Sequence, residues 1–285
     1  MTEDDEHVME ALGRARVVVR NGKVVDVGEP SITECPLAKR FAKPVTSFDK
    51  DSIKANIEER IRAGGMFTKD RKLLACEDFV PFGASELIAT GLRTGIIDAA
   101  VIAADGAGTV VVTNPSLAQG IGGKMSGLVK TCPIKEVVMG IESNGGRVLD
   151  PSSAAIDQQR GVELAKELGY RRIAVTVAKP IDAKAIRKAD PEALIIGVHL
   201  TGISKESAEL IVNHSDIVAG CASKWVREIA GKCALLQAGV SIPVFALSKM
   251  GKDLIAEKIK ETELRLFVKV ERLPVRSEKE PKPLV

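Results

Sequence analysis

Aromatic residues are scarce in this chain: 3% of 285 residues, with one Trp and one Tyr. That scarcity excludes base-stacking platforms for single-stranded nucleic acid, and it leaves a core to be built from Val, Ile, Leu and Ala. An excess of charge of one sign is lacking as well. Lys and Arg number 41 against 38 Asp and Glu, a formal net charge of +3 with the basic residues scattered, so no nucleic-acid partner is implied. No apolar run approaches the ~20 residues of a membrane helix, and the acidic start Met1-Thr2-Glu3-Asp4-Asp5-Glu6 is unlike a secretory leader. A soluble, cytoplasmic protein without a membrane partner is expected. The five cysteines, Cys35, Cys76, Cys132, Cys221 and Cys233, contain no C-x-x-C pair, which argues against a disulfide framework or a zinc ribbon and for reduced thiols.

Glycine, by contrast, is concentrated. Between Asp105 and Gly127 stand Gly106, Gly108, Gly120, Gly122, Gly123 and Gly127, interleaved with Thr109, Lys124 and Ser126. Neither cluster has the spacing G-x-x-x-x-G-K-[ST] or G-x-G-x-x-G, so no nucleotide fingerprint is present. One reading makes Gly106, Gly108 and Thr109 one wall of an anion pocket and Gly120, Gly122, Gly123, Lys124 and Ser126 the other, with Lys124 facing the anion. The other reading gives these glycines only turns and close helix-sheet contacts. Asp105 then either binds a hydroxyl or a metal-bound water, or caps its own turn.

Hydrophobic periodicity places this stretch in a fold. Residues 15–20 and 23–27 read as strands flanking Asn21-Gly22, a pair suited to a type I′ hairpin. Helices are expected over 50–63, where Ile53, Ile57 and Ile61 recur before Gly64-Gly65, and over 85–94, which the Ser85-Glu86 pair is expected to cap, with Glu86 near the helix's positive end. The strand 99–103 delivers Asp105. A further helix is expected to begin at Asp150-Pro151-Ser152. Buried strands over 172–177, 193–198, 216–219 and 243–247 then alternate with helices over 204–213 and 222–232, a βα signature. The chain is therefore read as α/β, a mostly parallel sheet with flanking helices, in two lobes. Residues 1–148 carry the N-terminal hairpin and glycine-rich loops and 149–273 the βα repeats. Residues 274–285 form a mobile tail with too little apolar content to pack.

Loops at the carboxyl ends of such strands gather ligands. They carry His199 and Thr201, then Cys221, Ser223 and Lys224. Cys221 sits where a helix begins, with Ser223 as its cap. A helix start lowers a thiol's pKa, making Cys221 a candidate nucleophile or metal ligand, with Lys224 beside it in a catalytic role, unless the thiol only fills space. Cys35 and Cys132 each precede proline. If they met Cys221, three thiolates could hold an iron-sulfur cluster. Of the other histidines, His7 falls in the polar leader and His214 ends a helix. A phosphorylated small molecule is the alternative ligand.

The order of motifs resembles the archaeal family called methanogenesis marker protein 8, restricted largely to methane-metabolising archaea. The resemblance covers most of the chain and is carried by Glu10-Ala11-Leu12-Gly13, Val17-Val18-Val19-Arg20-Asn21-Gly22-Lys23-Val24-Val25, Cys35-Pro36, Phe82-Gly83-Ala84-Ser85-Glu86, Asp105-Gly106-Ala107-Gly108-Thr109-Val110-Val111, Gln119-Gly120-Ile121-Gly122-Gly123, Gly220-Cys221-Ala222-Ser223-Lys224 and Ile242-Pro243-Val244. It implies a setting, the anaerobic cytoplasm, and a partner, methyl-coenzyme M reductase or its maturation proteins. The leading expectation is an accessory protein of methanogenesis, acting in assembly or activation of that reductase or its cofactor. The alternatives are a transferase-type enzyme for a phosphorylated substrate, with Lys224 or Lys124 stabilising developing charge, and a binding module without chemistry.

Overall fold

The computed structural model describes residues 5–285, and the segment expected as a polar leader is a strand, β1 (Glu6–Glu10), with His7, Val8 and Met9 buried. It lies between β2 (Arg16–Arg20) and β6 (Leu128–Lys130), and β2 turns into β3 (Lys23–Val27). The result is a four-stranded antiparallel sheet in the order β3-β2-β1-β6. Asn21 and Gly22 turn the hairpin with φ of 49° and 69°, the sign that a type I′ turn requires at both positions.

Helix α1 (Lys50–Gly64) covers this sheet. Asp49 accepts from the Ser52 amide at 2.8 Å while Ser52 Oγ accepts from the Asp49 amide at 3.0 Å, a reciprocal cap. Gly65 ends the helix at φ 66°. The face carrying Ile53 and Ile57 packs with Met9, Val17, Val19 and Phe67.

The larger sheet runs in the order β11-β12-β10-β9-β8-β4-β5-β7. Its strands are β4 (Ala99–Ala104), β5 (Gly108–Val112), β7 (Arg147–Val148), β8 (Ile173–Val177), β9 (Leu194–Gly197), β10 (Ile217–Ala219), β11 (Leu236–Ala238) and β12 (Val244–Ala246). One face is covered by α2 (Ala84–Thr94), α3 (Pro115–Gly122), α4 (Lys135–Ser143) and α9 (Lys249–Glu261), through Leu87, Leu117, Ile141 and Leu254. The other carries α5 (Gln158–Glu167), α6 (Pro180–Ala189), α7 (Lys205–His214) and α8 (Lys224–Cys233), through Val162, Ile186, Ile211 and Val226. The sheet draws strands from both sides of residue 148. Burial on both faces explains why β4 and β9 read as unbroken apolar runs.

The expectation of a mostly parallel sheet holds only for its centre. β4–β8, β8–β9 and β9–β10 are parallel, whereas β4–β5, β5–β7, β10–β12 and β11–β12 are antiparallel. For β4–β5 and β11–β12 connection length is the reason. Residues 105–107 join β4 to β5 and residues 239–243 join β11 to β12, and neither link can carry the dozen or more residues of a crossover.

Three local expectations are also corrected. Asp150 starts no helix; its carboxylate closes a turn by accepting from the amide and hydroxyl of Ser152 at 2.9 and 2.6 Å, and α5 is capped instead by Asp157. Glu86 does not cap α2, whose cap is Gly83. Buried, it accepts from the amides of Phe79 and Val80 and from Gln119 Nε2, pinning the preceding loop. The tail does pack. Glu34 and Lys282 pair through their main chains, with the Thr33 amide also donating to the Lys282 carbonyl, and the Val285 amide donates to Ala222 while its carbonyl accepts from the Lys224 amide, both at 2.9 Å. Main-chain pairing needs no apolar side chains, which is why composition misread this segment. Among the described residues no helix is long and apolar enough to cross a membrane.

Candidate functional site

The glycine-rich stretch is closed by protein. At the end of β4 the buried Asp105 carboxylate lies 2.9 Å from Arg71 Nε and accepts from the Phe67 amide at 2.8 Å. Arg71 spends its remaining donors on the carbonyls of Lys72 and Gly120. A Cβ at Gly108 would stand 2.2 Å from the Ala154 carbonyl, at Gly120 1.9 Å from the Leu73 carbonyl, at Gly122 2.9 Å from Ser85 and at Gly123 2.3 Å from the Phe79 ring. Gly106, at φ 79°, meets Ile134 and donates its amide to Thr131 Oγ1. Thr109 is buried, donating to Gln158 Oε1 and accepting from the Asp157 amide, each at 2.8 Å. The two-walled anion pocket is therefore corrected: these glycines let one segment of the chain approach another, and Asp105 serves a buried ion pair. Of the residues assigned to that pocket, Lys124 is half-buried and Ser126 exposed.

The polar groups that do converge lie where the small sheet meets the carboxyl ends of β9 and β10. His199 and Cys221 stand just beyond these neighbouring parallel strands, and both are non-glycine residues at positive φ, 57° and 42°. Such backbones persist only where their surroundings hold them. Glu10, at the end of β1, holds His199: its Oε2 lies 2.7 Å from His199 Nε2 and 2.8 Å from Arg14 Nε. Arg14 reaches on to the Thr201 carbonyl at 2.8 Å, and a Cβ at Gly127 would stand 2.6 Å from the imidazole. Arg227, buried in α8, holds Cys221 by two donors to its carbonyl, at 3.0 and 2.6 Å, and also bonds the Ser241 carbonyl and Glu280. Thr201 Oγ1 accepts weakly from the Ala222 amide, and Ser223 caps α8 as expected.

The electrostatics assign protons. The His199 hydrogen bond, with Arg14 adding to it against the effect of burial, holds the Glu10 carboxyl down to about 2. An ionised carboxylate only accepts, so Nε2 of His199 is the donor in this hydrogen bond. The thiol of Cys221 behaves contrary to expectation. Burial pushes its pKa up, and the Cys35 thiol nearby adds to this, outweighing the amides of Leu200 and His199 and the charge of Arg227. Cys35 is pushed up by burial too. Both are thiols rather than thiolates at neutral pH.

Cys132 lies elsewhere, at the far end of β1 from Glu10, with its Sγ donating to the Glu6 carbonyl at 3.2 Å. Cys35, Cys132 and Cys221 thus do not converge, and among the described residues no group of three or more His, Cys, Asp and Glu could hold a metal ion. The donor set for a thiolate-held cluster is not assembled. Lys224 is exposed, its ammonium 4.9 Å from the Trp225 ring centroid, so it flanks the site from outside.

A second feature borders the seam. Arg60 on α1 donates to the Lys124 carbonyl at 3.3 Å and lies 4.9 Å over the Phe41 ring. Burial lowers its pKa to about 10. Lys124 is pushed down by burial, then by the charges of Arg71 and Lys72. Among the described residues no carboxylate pairs with Arg60, Lys72 or Lys124. Arg227 is not singled out by the sequence as a site residue because its partner is a main-chain carbonyl, that of Cys221, and Glu10, Arg14 and Arg60 because each gains its role from a residue distant in the chain. His7 was misplaced for the same reason: its Nδ1 lies 2.7 Å from Thr131 Oγ1 across the sheet.

Fold and site together define a mixed α/β protein with a polar, thiol-bearing seam between its two sheets. The chain belongs to the archaeal family described as "Uncharacterized protein conserved in archaea (DUF2099)", whose sequence pattern matches residues 7–260. It is 47% identical over 287 aligned positions to "Uncharacterized protein MJ0054" of Methanocaldococcus jannaschii, an alignment covering 99% of this chain and 100% of that protein. No solved structure matches the chain.

Proposed function

We propose that this chain holds an anionic ligand at the seam and serves as a cytoplasmic accessory protein of methanogenesis, in assembly or activation of methyl-coenzyme M reductase or its cofactor. The setting comes from the resemblance to methanogenesis marker protein 8, and membership of a family conserved in archaea is consistent with it. The ligand reading rests on one observation: Arg60, Lys72 and Lys124 gather without a carboxylate among the described residues. Arg60 and Lys124 are half-buried and Lys72 is exposed beside them; half-burying cations without a counter-charge is unfavourable, and an anion would offset that cost. Gly127, just along the chain from Lys124, packs closely against the His199 imidazole, which links the cations to the strand ends through this segment.

Native mass spectrometry on protein purified without oxygen from an archaeal host tests this, with the parent beside an Arg60→Met, Lys124→Met double variant. A bound phosphorylated metabolite or anionic tetrapyrrole in the parent, lost from the variant, supports the reading. Equal, empty masses for both, together with no binding of inorganic phosphate by the parent, would sink it. Anaerobic co-purification with the reductase tests the partner separately.

The strained backbones of His199 and Cys221 favour a second reading, a transferase-type enzyme for a phosphorylated substrate. It predicts that Cys221→Ser abolishes turnover while leaving ligand mass unchanged.

A further inference from the structure

Between the end of α9 and Val275, which exchanges two hydrogen bonds with the Gln237 side chain, the chain has neither helix nor strand. Its sequence is nonetheless strand-like. Leu264, Leu266, Val268 and Val270 alternate with Arg265, Phe267, Lys269 and Glu271, the period of a β-strand with one apolar face. All of these residues are exposed, Phe267 by 87%, Val268 by 83% and Val270 by 100%. A strand-forming run left without a partner is a template for pairing with another chain.

The charge pattern names that partner. We infer that this segment pairs antiparallel with the same segment of a second copy of this chain, centred on Val268, to form a two-stranded ribbon across a two-fold axis. In that register Arg265 faces Glu271 of the other copy twice over, Leu266 faces Val270 and Val268 faces itself, while on the charged face Phe267 lies opposite Lys269 as a cation–π pair and Glu271 keeps its neighbour Lys269, 2.6 Å away in the single chain. Centring on Phe267 would set Arg265 against Lys269 and Glu263 against Glu271. Centring on Leu266 would set Glu271 against Glu261, which is held in α9 by Arg93. A shift of one residue would set Leu266 opposite Lys269 or Glu271 and lose both Arg265–Glu271 pairs. Of these three centred registers, only that on Val268 sets no like charges opposite one another.

The full chain is to be sized by sedimentation equilibrium and light scattering, beside Val268→Asp, Glu271→Arg and the swap Arg265→Glu with Glu271→Arg. The parent is expected at twice the chain mass, Val268→Asp at the chain mass, Glu271→Arg with dimerisation weakened at least tenfold, and the swap restored to the parent's behaviour. Because the segment is exposed, thermal melting should show every variant folded. A monomeric parent at its highest soluble concentration would overturn the inference and assign the segment to the sheet edge of a different protein. A dimer unaffected by Val268→Asp, or a swap that fails to restore pairing, would overturn it as well.

Discussion

Glu10 Oε2 lies 2.7 Å from His199 Nε2, joining residues 189 apart in sequence and tying the small sheet to the strand ends of the large one. The pairing makes Nε2 of the imidazole the donor, and it also makes part of the protein's stability depend on pH.

The Glu10 carboxyl is lowered from 4.5 to about 2. A carboxyl depressed in the folded state contributes stability that is present above the unfolded value and lost as pH falls through the folded one. Stability should therefore decline from about pH 4.5 down to about pH 2, and Glu10→Gln should flatten that part of the profile. Urea titrations at successive pH values read this directly. An unchanged profile in the variant would place the acid sensitivity elsewhere.

The Arg71–Asp105 pair is buried at both ends. Removing one partner of such a pair strands a charge, at a cost of about 3–5 kcal/mol. Asp105→Asn should fall near the lower end, because its amide can still accept from Phe67, and Arg71→Met near the upper. Denaturant midpoints decide this. Phosphate binding by Asp105→Asn, measured where it remains folded, should match the parent, since Asp105 is not a ligand group.

Gly120 lies inside α3, where replacing glycine by alanine ordinarily gains up to about 1 kcal/mol of helix propensity. Here the Cβ would meet the Leu73 carbonyl at 1.9 Å, so Gly120→Ala should instead lose about 3 kcal/mol. Gly95, at φ 73° with open space around it, should lose only about 1 kcal/mol as alanine. Thermal melts that ranked the two in the opposite order would restore the reading of Gly120 as a ligand wall.

The thiols should react in order of exposure. Cys76 is exposed and should be alkylated first at neutral pH, followed by Cys233, which is exposed although burial pushes its pKa up. Cys35 and Cys221, both raised by burial, should lag until the protein unfolds. Peptide mapping after a short maleimide pulse gives the order. If Cys221 reacted first, it would be a thiolate after all, and a nucleophilic role would follow.

By itself the sequence determined what is local. Asn21-Gly22 set the hairpin because both positions need φ > 0, Gly65 and Gly95 end their helices in the left-handed region, and apolar runs mark the strands that are buried on two faces. The glycine-rich stretch was legible as a place of close approach, but not as to what approaches it. Tertiary structure decided that the approach is by Leu73, Phe79 and Ala154 rather than a ligand, because backbone proximity leaves no trace in the partner's sequence. It also decided that short links make β4–β5 and β11–β12 antiparallel and that Glu10, Arg14 and Arg227 surround His199 and Cys221. Burial, a property of the whole packed chain, then set the thiol's pKa against the local effect of a helix start.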